Sequence, residues 1–427
     1  MELPDEKVQQ LAGHLFRHEA GKMAAVLTRL LGFQNIELAE DIVQDALLKA
    51  LNTWKYQGIP DNPSAWLYRT AKNKAIDLLR KQQVLKKIEG ELARELKSEW
   101  TLAPTVQHLF LENEIEDSQL RMIFACCHPA IPYESQIALT LKTLCGLSVN
   151  EIARGFLTTE ETISKRLYRA KEKIRSEKIE LESPTEELLS ERLDAVLHTL
   201  YLLFNEGYNS SHPELLLRQD LCAEAIRLCK LLTQHARTNL PKVRALLALM
   251  CFQASRLDAR LADDGSIILL KYQDRRLWNK ELIVRGQSYL NAAASGDQLS
   301  EYHLEAAIAA CHALAPTFEQ TDWPRILSLY QLLSSIKPGQ IVDLNKAIVA
   351  GYAESAQRGI EELKKINGLE GHYLYQTALG DFYLQIDDKQ RAKSHYQRAL
   401  PLTTSSLEKQ LIEQKMKLCQ ISKTTAS

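Results

Sequence analysis

The sequence predicts an all-α protein on three observations: apolar residues recur at helical spacing almost throughout, alternating strand patterns flanked by hairpin turns are nearly absent, and helix-start signals recur along the chain. At 427 residues the chain is long for a single core, so two or three domains are expected. Hydrophobic residues make up 45% and charged residues 25%, which excludes extended disorder as the main state. The formal net charge is -1, so any nucleic-acid surface must be local.

Eight cysteines lie in mostly apolar contexts without the paired spacing that zinc sites use, and read as buried thiols of a reducing compartment. Cys126, Cys127 and His128 are adjacent, but consecutive helical residues point in different directions, so packed core positions are expected there and no metal. The N-terminal MELPDEKVQQ is acidic where a secretory signal is basic and then apolar, and no run approaches a membrane span. A soluble, cytoplasmic protein without membrane contact is therefore expected.

The first element is IELAEDIVQDALLKALNTW. Glu37, Glu40, Asp41 and Asp45 lead it, where acids suit the helix dipole. An ordinary negatively charged first turn and a protein-docking surface both fit. In NPSAWLYRTAKNKAIDLLRKQQ, Asn62 and Pro63 mark a helix start. Leu67, Ala71, Ala75 and Leu78 form its predicted buried side, with Arg69, Lys72, Asn73, Asp77 and Arg80 exposed. From Tyr68 to Lys87 seven basic residues, Lys74 among them, face one acid, a local charge of +6. These elements make up a first zone, residues 1–82. A charged, acid-ended segment over 83–117 suits a mobile or partly helical tether.

In the next zone, 118–180, two short helical patterns are joined by a turn. Ser148 with Glu151 and Thr158 with Glu161 read as two capping boxes. Ile152, Ala153 and Phe156 line the first helix, and Ile163, Leu167, Ala170 and Ile174 the facing side of the second. Ser164, Lys165, Tyr168 and Arg169 then face outward with Arg166 flanking, among seven Lys or Arg residues between Lys165 and Lys178. A short turn before a helix with an outward polar N-terminal half is the arrangement that enters a major groove. Taken alone, a solvated amphipathic helix fits equally well.

After LESPTEE, a short linker, a third zone spans 185–427. Near its end Leu379, Gly380, Tyr383, Ala392, Tyr396 and Ala399 fall at the spacing of a tetratricopeptide repeat, with looser copies before it, so a degenerate helical-repeat domain is expected. DDGSIILLKYQDRR lacks the alternating ligands and closing Glu of a calcium loop, and no nucleophile or histidine accompanies it; it is expected to be a polar helix–helix junction.

AEDIVQDALLKALNTW, PSAWLYRTAKNKAIDLLRK and GLSVNEIARGFLTTEETISKRLYRAKEKIR, in that order, resemble regions 2 and 4 of bacterial RNA polymerase sigma factors of the extracytoplasmic-function type. The short gap between them fits this minimal type. YLLFNEGYNSS, RLADDGSIILLKYQDRRLW and the repeat unit resemble the tetratricopeptide-like C-terminal extension of a subgroup. The resemblance implies a specificity subunit of RNA polymerase with no catalytic activity, cofactor or metal of its own. Its partners would be core RNA polymerase, promoter DNA and a regulatory protein at the C-terminal domain, which would modulate activity. Glu40, Asp41 and Asp45 would then dock on core polymerase. Arg69, Lys72, Asn73, Lys74 and Arg80 would hold the opened minus-10 strand, and YQGIPDNPS would wall its pocket. Trp66 is expected in the core rather than stacked on a base. Ser164, Lys165, Arg166, Tyr168 and Arg169 would read the minus-35 element. The acidic tether would lie in the polymerase channel. A Walker A loop and comparable catalytic motifs are absent, consistent with melting by binding energy.

Overall fold

The computed structural model describes residues 5–80, 104, 106–156, 158–182, 186–209, 217–296 and 298–420. Among these, regular structure is helical apart from an isolated antiparallel bridge between Leu261 and Ile267. The chain is all-α. It divides into two compact units: residues 1–203 with 223–231, and residues 204–222 with 232–427.

The first unit is built on α1 (Asp5–Leu31), α2 (Ile36–Gln57) and α3 (Pro63–Arg80). Met23, Leu27 and Leu30 of α1 meet Ile42 and Ala46 of α2 and Leu67 and Ala71 of α3 in one core. Small residues at helical spacing let the axes approach closely. The buried side of α3 is Leu67, Ala71, Ala75, Ile76 and Leu79; Leu78, expected in that stripe, is only partly covered. A stripe spaced three and four residues apart drifts around the cylinder, and by the last turn Leu79 has taken the inward place. Asn62 starts α3, accepting from the Ala65 amide at 3.0 Å. Trp66 meets Trp54 edge-on at 5.5 Å and is partly buried in this core.

Glu19 of α1 is a buried carboxylate held by Tyr68 and Ser64 of α3, His18 and Lys22. Burial pushes its pKa up, but hydrogen bonds from His18 and Tyr68 and the charge of Lys22 outweigh it and hold the group at about 2.

Residues 83–103, most of the expected tether, lie outside the described residues. The rest of that segment is not a tether: Val106, Leu109 and Ile115 are buried in the same core, and α4 (Glu112–Cys126) begins inside it. α5 (Tyr133–Thr143), α6 (Val149–Gly155) and α7 (Glu160–Ser176) follow in the same unit. Gly21 of α1 lies against the Leu144 carbonyl, where a Cβ would clash, and Arg29 of α1 reaches Glu114 at 2.9 Å and Asp117 at 3.0 Å on α4. The two charged zones thus share one body, where the sequence suggested zones joined by a tether.

α8 (Glu186–Tyr208) and α9 (Gln219–Gln234) each contribute to both units. The linker residues 183–185 lie outside the described residues. Within the first unit, Thr199 of α8 meets Cys127, and Tyr133 lies 5.2 Å from His198. Arg227 of α9 grips Glu224 (2.6 and 2.9 Å) and donates to Gln119 of α4 at 3.2 Å.

The second unit continues with α10 (Pro241–Ala254), α11 (Lys280–Ala293), α12 (Glu301–Leu314), α13 (Trp323–Ile336), α14 (Gln340–Ala353), α15 (Ala356–Lys364), α16 (Tyr373–Gln385), α17 (Lys389–Ala399) and α18 (Ser406–Leu418). Between α10 and α11 lies the expected helix–helix junction, built as a turn: Gly265, at φ +79°, turns the chain back and Asp264 holds the Ser266 amide. Short 3₁₀ turns follow at Leu270–Tyr272 and Arg275–Leu277. In the α16–α17 hairpin, Gly380 lies under the Tyr396 ring, and Tyr383, Ala392 and Tyr396 are buried. Gly351 of α14 lies under Phe382 in the same way.

Two outcomes follow. Replacing Gly351→Ala should cost about 1–3 kcal/mol of second-unit stability, whereas Gly371→Ala, with open space around its Cβ, should change the thermal midpoint little. Because the Glu19 pKa is lowered in the folded chain, its contribution is fully present above about pH 4.5 and lost as pH falls toward 2. Denaturant titrations of Glu19→Gln should show a deficit on the order of 1–3 kcal/mol at pH 7 that shrinks by pH 3.

Candidate nucleic-acid interface

The approach to α7 is set by two caps. Ser148 and Glu151 bond each other's amides reciprocally at 2.8 and 3.1 Å, as their spacing predicts. The second cap is Thr159, not Thr158: the Thr158 amide is spent on the Ala153 carbonyl at 3.0 Å, leaving Thr159 extended to accept from the Thr162 amide at 3.2 Å. Ile163, Leu167, Ala170 and Ile174 are buried on one side of α7, while Ser164, Lys165, Tyr168 and Arg169 are exposed on the other and Arg166 is half-buried. Tyr168 is 64% exposed, so its ring is free to contact a groove. Lys165 is steadied by Glu161 at 2.6 Å.

The basic residues further along α7 have a different fate. Lys171 lies 3.0 Å from Glu40 and 3.5 Å from Glu37 of α2, and Arg175 also pairs with Glu37. Lys171 and Glu40 have only 16% and 15% of their side chains exposed. Glu40 was expected on a free docking face; here it is half-buried and engaged by α7.

Asp41 and Asp45 of α2 are exposed. Asp45 pairs with Lys74 of α3, so a residue expected at polymerase and a residue expected at DNA meet each other. Arg69 and Asn73 are exposed, Lys72 is half-buried rather than free, and the Arg80 side chain lies outside the described residues. Leu48 (57% exposed), Leu51 (37%) and Tyr56 (83%) extend the outer face of α2 beyond Asp45. The residue types alone suggested core. The signal was their angular position, off the Ile42, Ala46 and Ala50 stripe.

Cys126 and Cys127 are buried beside Thr143 and Thr199, at 3.6 and 3.7 Å. Burial pushes both thiols up, Cys127 to about 11. The His128 ring instead accepts the Ala130 amide at 3.1 Å. Among the described residues no group of three or more His, Cys, Asp or Glu side chains converges as a metal site, and no helix is long and apolar enough to cross a membrane.

A helix-turn-helix whose second helix offers an outward polar face with Lys165 and Arg169, beside a second basic helix and an acidic-apolar face, suits phosphate neutralisation, groove contact and protein docking together. Residues 15–84 match the family model for Sigma-70 region 2, and residues 121–174 that for Sigma-70, region 4. Residues 192–294 match a family of unknown function, DUF6596. The chain is 30% identical over 155 residues to the ECF RNA polymerase sigma-E factor of Haemophilus influenzae, covering 36% of this chain and 79% of that one. It is 27% identical over 165 residues to the ECF RNA polymerase sigma factor SigW of Bacillus subtilis, covering 36% and 82%. An uncharacterized protein of Rhizobium meliloti is 36% identical over 379 residues, 88% of each chain. No solved structure matches the chain.

The two region models define a sigma-70-type specificity subunit of RNA polymerase. Within that class, the chain belongs to the extracytoplasmic-function sigma factors, and it carries a C-terminal helical extension. Its partners are core RNA polymerase and promoter DNA, and it directs promoter-specific initiation.

The pairing of α2 with α7 has a direct test. Glu40→Lys should destabilise the first unit by about 1 kcal/mol or somewhat more, as half-buried pairs do. Adding Lys171→Glu should recover most of that loss in a double-mutant cycle read by chemical unfolding.

Proposed function

We propose that Asp41, Asp45 and the neighbouring Leu48 form the contact with core polymerase, that Arg69, Lys72, Asn73, Lys74 and Arg80 hold the opened minus-10 strand, and that Ser164, Lys165, Arg166, Tyr168 and Arg169 read the minus-35 element. Glu40 joins the polymerase contact only after it leaves Lys171. The protein works by binding energy alone, in the cytoplasm, without catalysis of its own. Its C-terminal extension, a tetratricopeptide-like array, modulates activity and takes a regulatory protein as a partner. The observation that carries the modulatory part is Arg227: a residue from the extension is bonded to Gln119 of α4 in the same unit as both promoter-reading regions. Burial works against its charge, but the Glu224 carboxylate outweighs that and keeps the guanidinium protonated. An extension helix thereby braces a state in which Glu37 and Glu40 are occupied by Lys171 and Arg175.

Promoter-dependent transcription with purified core polymerase tests this. Asp41→Arg and Leu48→Arg should each lower core affinity about tenfold, the scale of losing one good interfacial contact. Arg169→Ala should weaken binding to the upstream element while leaving core affinity intact, and Arg227→Gln should raise core affinity. Unchanged core binding by both α2 variants would remove the docking face, and unchanged binding by Arg227→Gln would remove the brace.

A further inference from the structure

The second unit contains a cavity of about 950 Å³, within the size range of small-molecule sites. Its walls are largely aromatic and apolar: Phe318, Trp323, Tyr330 and Tyr352 with Ile348 and Val349. Trp323 and Tyr352 stack at 4.7 Å, and Phe318 stands edge-on to both at 5.0 and 5.4 Å. The segment Ile267–Tyr272, part of the irregular connection between α10 and α11, forms one side, and His312 lines the wall next to Trp323, its ring 5.4 Å from that indole.

Charge is distributed unevenly around this space. Asp381, which also lines it, is neutralised by Lys415 (2.7 and 2.8 Å) and accepts from Tyr396 at 2.7 Å. Near His312 there is no such balance. The guanidinium groups of Arg256 and Arg275 lie 5.3 and 4.4 Å from the centre of the same buried indole, Trp278. Arg256 donates to the neutral Gln273 at 3.2 Å, and Arg275 donates one nitrogen, Nη1, to the His312 and Ala315 carbonyls at 2.7 and 2.6 Å. The Nη2 of Arg275, the Nε1 of Trp278 and the Nδ1 of His312 are buried without a hydrogen-bond partner. Glu319 acts on Arg275 only through space.

Closing the end of α12 explains Arg275 Nη1. It leaves Arg256 without a carboxylate partner, and the two guanidinium groups stand behind the His312 wall and not in the lining of the cavity, acting on it through space. Burial first, and then the charges of Arg256 and Arg275, hold His312 neutral, at about 4.

We propose that the C-terminal extension is a receptor for a small anionic amphiphile, its carboxylate or sulfonate head at His312 in the field of Arg256 and Arg275 and its aromatic or acyl body against Trp323 and Tyr352. Guanidinium groups suit such a head, and the stacked rings suit such a body. The site lies wholly within the second unit and goes beyond the sigma-factor activity.

The full chain is titrated with 8-anilinonaphthalene-1-sulfonate and, separately, with N-phenyl-1-naphthylamine, which has the same ring system without the sulfonate. One saturable sulfonate site, displaced by decanoate, is expected. Arg256→Gln should weaken the sulfonate probe roughly threefold to tenfold, the scale of removing one cation that acts through space, and leave the neutral probe unchanged. Tyr352→Ala should weaken both. Because the neutral probe must still bind Arg256→Gln, a folding failure is distinguished from a lost anion contact. Equal binding of the two probes, no response to Arg256→Gln, or displacement by an acidic peptide but not by decanoate would overturn the proposal. Polymerase and DNA are absent from this measurement, so its failure leaves the sigma-factor reading untouched.

Discussion

The position of α1 is the constraint on which the first unit depends. One side of this helix supplies Met23, Leu27 and Leu30 to the core shared with α2 and α3, and each such side chain contributes about 1.5–3 kcal/mol on burial. Gly21 and Arg29 instead meet the Leu144 carbonyl, Glu114 and Asp117, which belong to the following group of helices. A side chain at position 21 would hold the two groups apart. Because it is absent, α2 comes within ion-pair reach of α7, and the acids of one promoter-reading region answer the bases of the other.

That pairing divides the cationic surface of α7. Its N-terminal half keeps Lys165 and Arg169 in solvent, while Lys171 and Arg175 are spent on carboxylates. Half-buried pairs of this kind are close to break-even, since desolvation offsets most of the attraction. Contacts near break-even exchange readily for others of similar strength, as the polymerase and phosphate contacts proposed above require. Asp45 with Lys74 follows the same logic within region 2.

Local signals in the sequence carried most of the helix faces. The inward stripe of α7 and the reciprocal cap at Ser148 follow from spacings of three and four residues, which the backbone geometry fixes without help from the rest of the chain. Thr158 and Thr159 are chemically the same, so the choice between them was decided by where the preceding turn spent its amides. The ion pair of Glu40 was out of reach for a larger reason: its partner Lys171 is 131 positions away, and no periodicity reports that distance. The turn at Gly265 and the 3₁₀ turns after it were not legible in detail, because the apolar run and its flanking acids carry no period that fixes their backbone.

Cys126 and Cys127 lie deep in the body that joins the two regions, with burial holding their sulfur atoms protonated. A protonated, occluded sulfur is a poor nucleophile, so alkylating or oxidising reagents reach it only when the surrounding helices part. The pair is therefore a chemical clock for the helices packed over it: its labelling rate counts how often α4, α5 and α8 part around Thr143 and Thr199, and anything that loosens them should make it run faster.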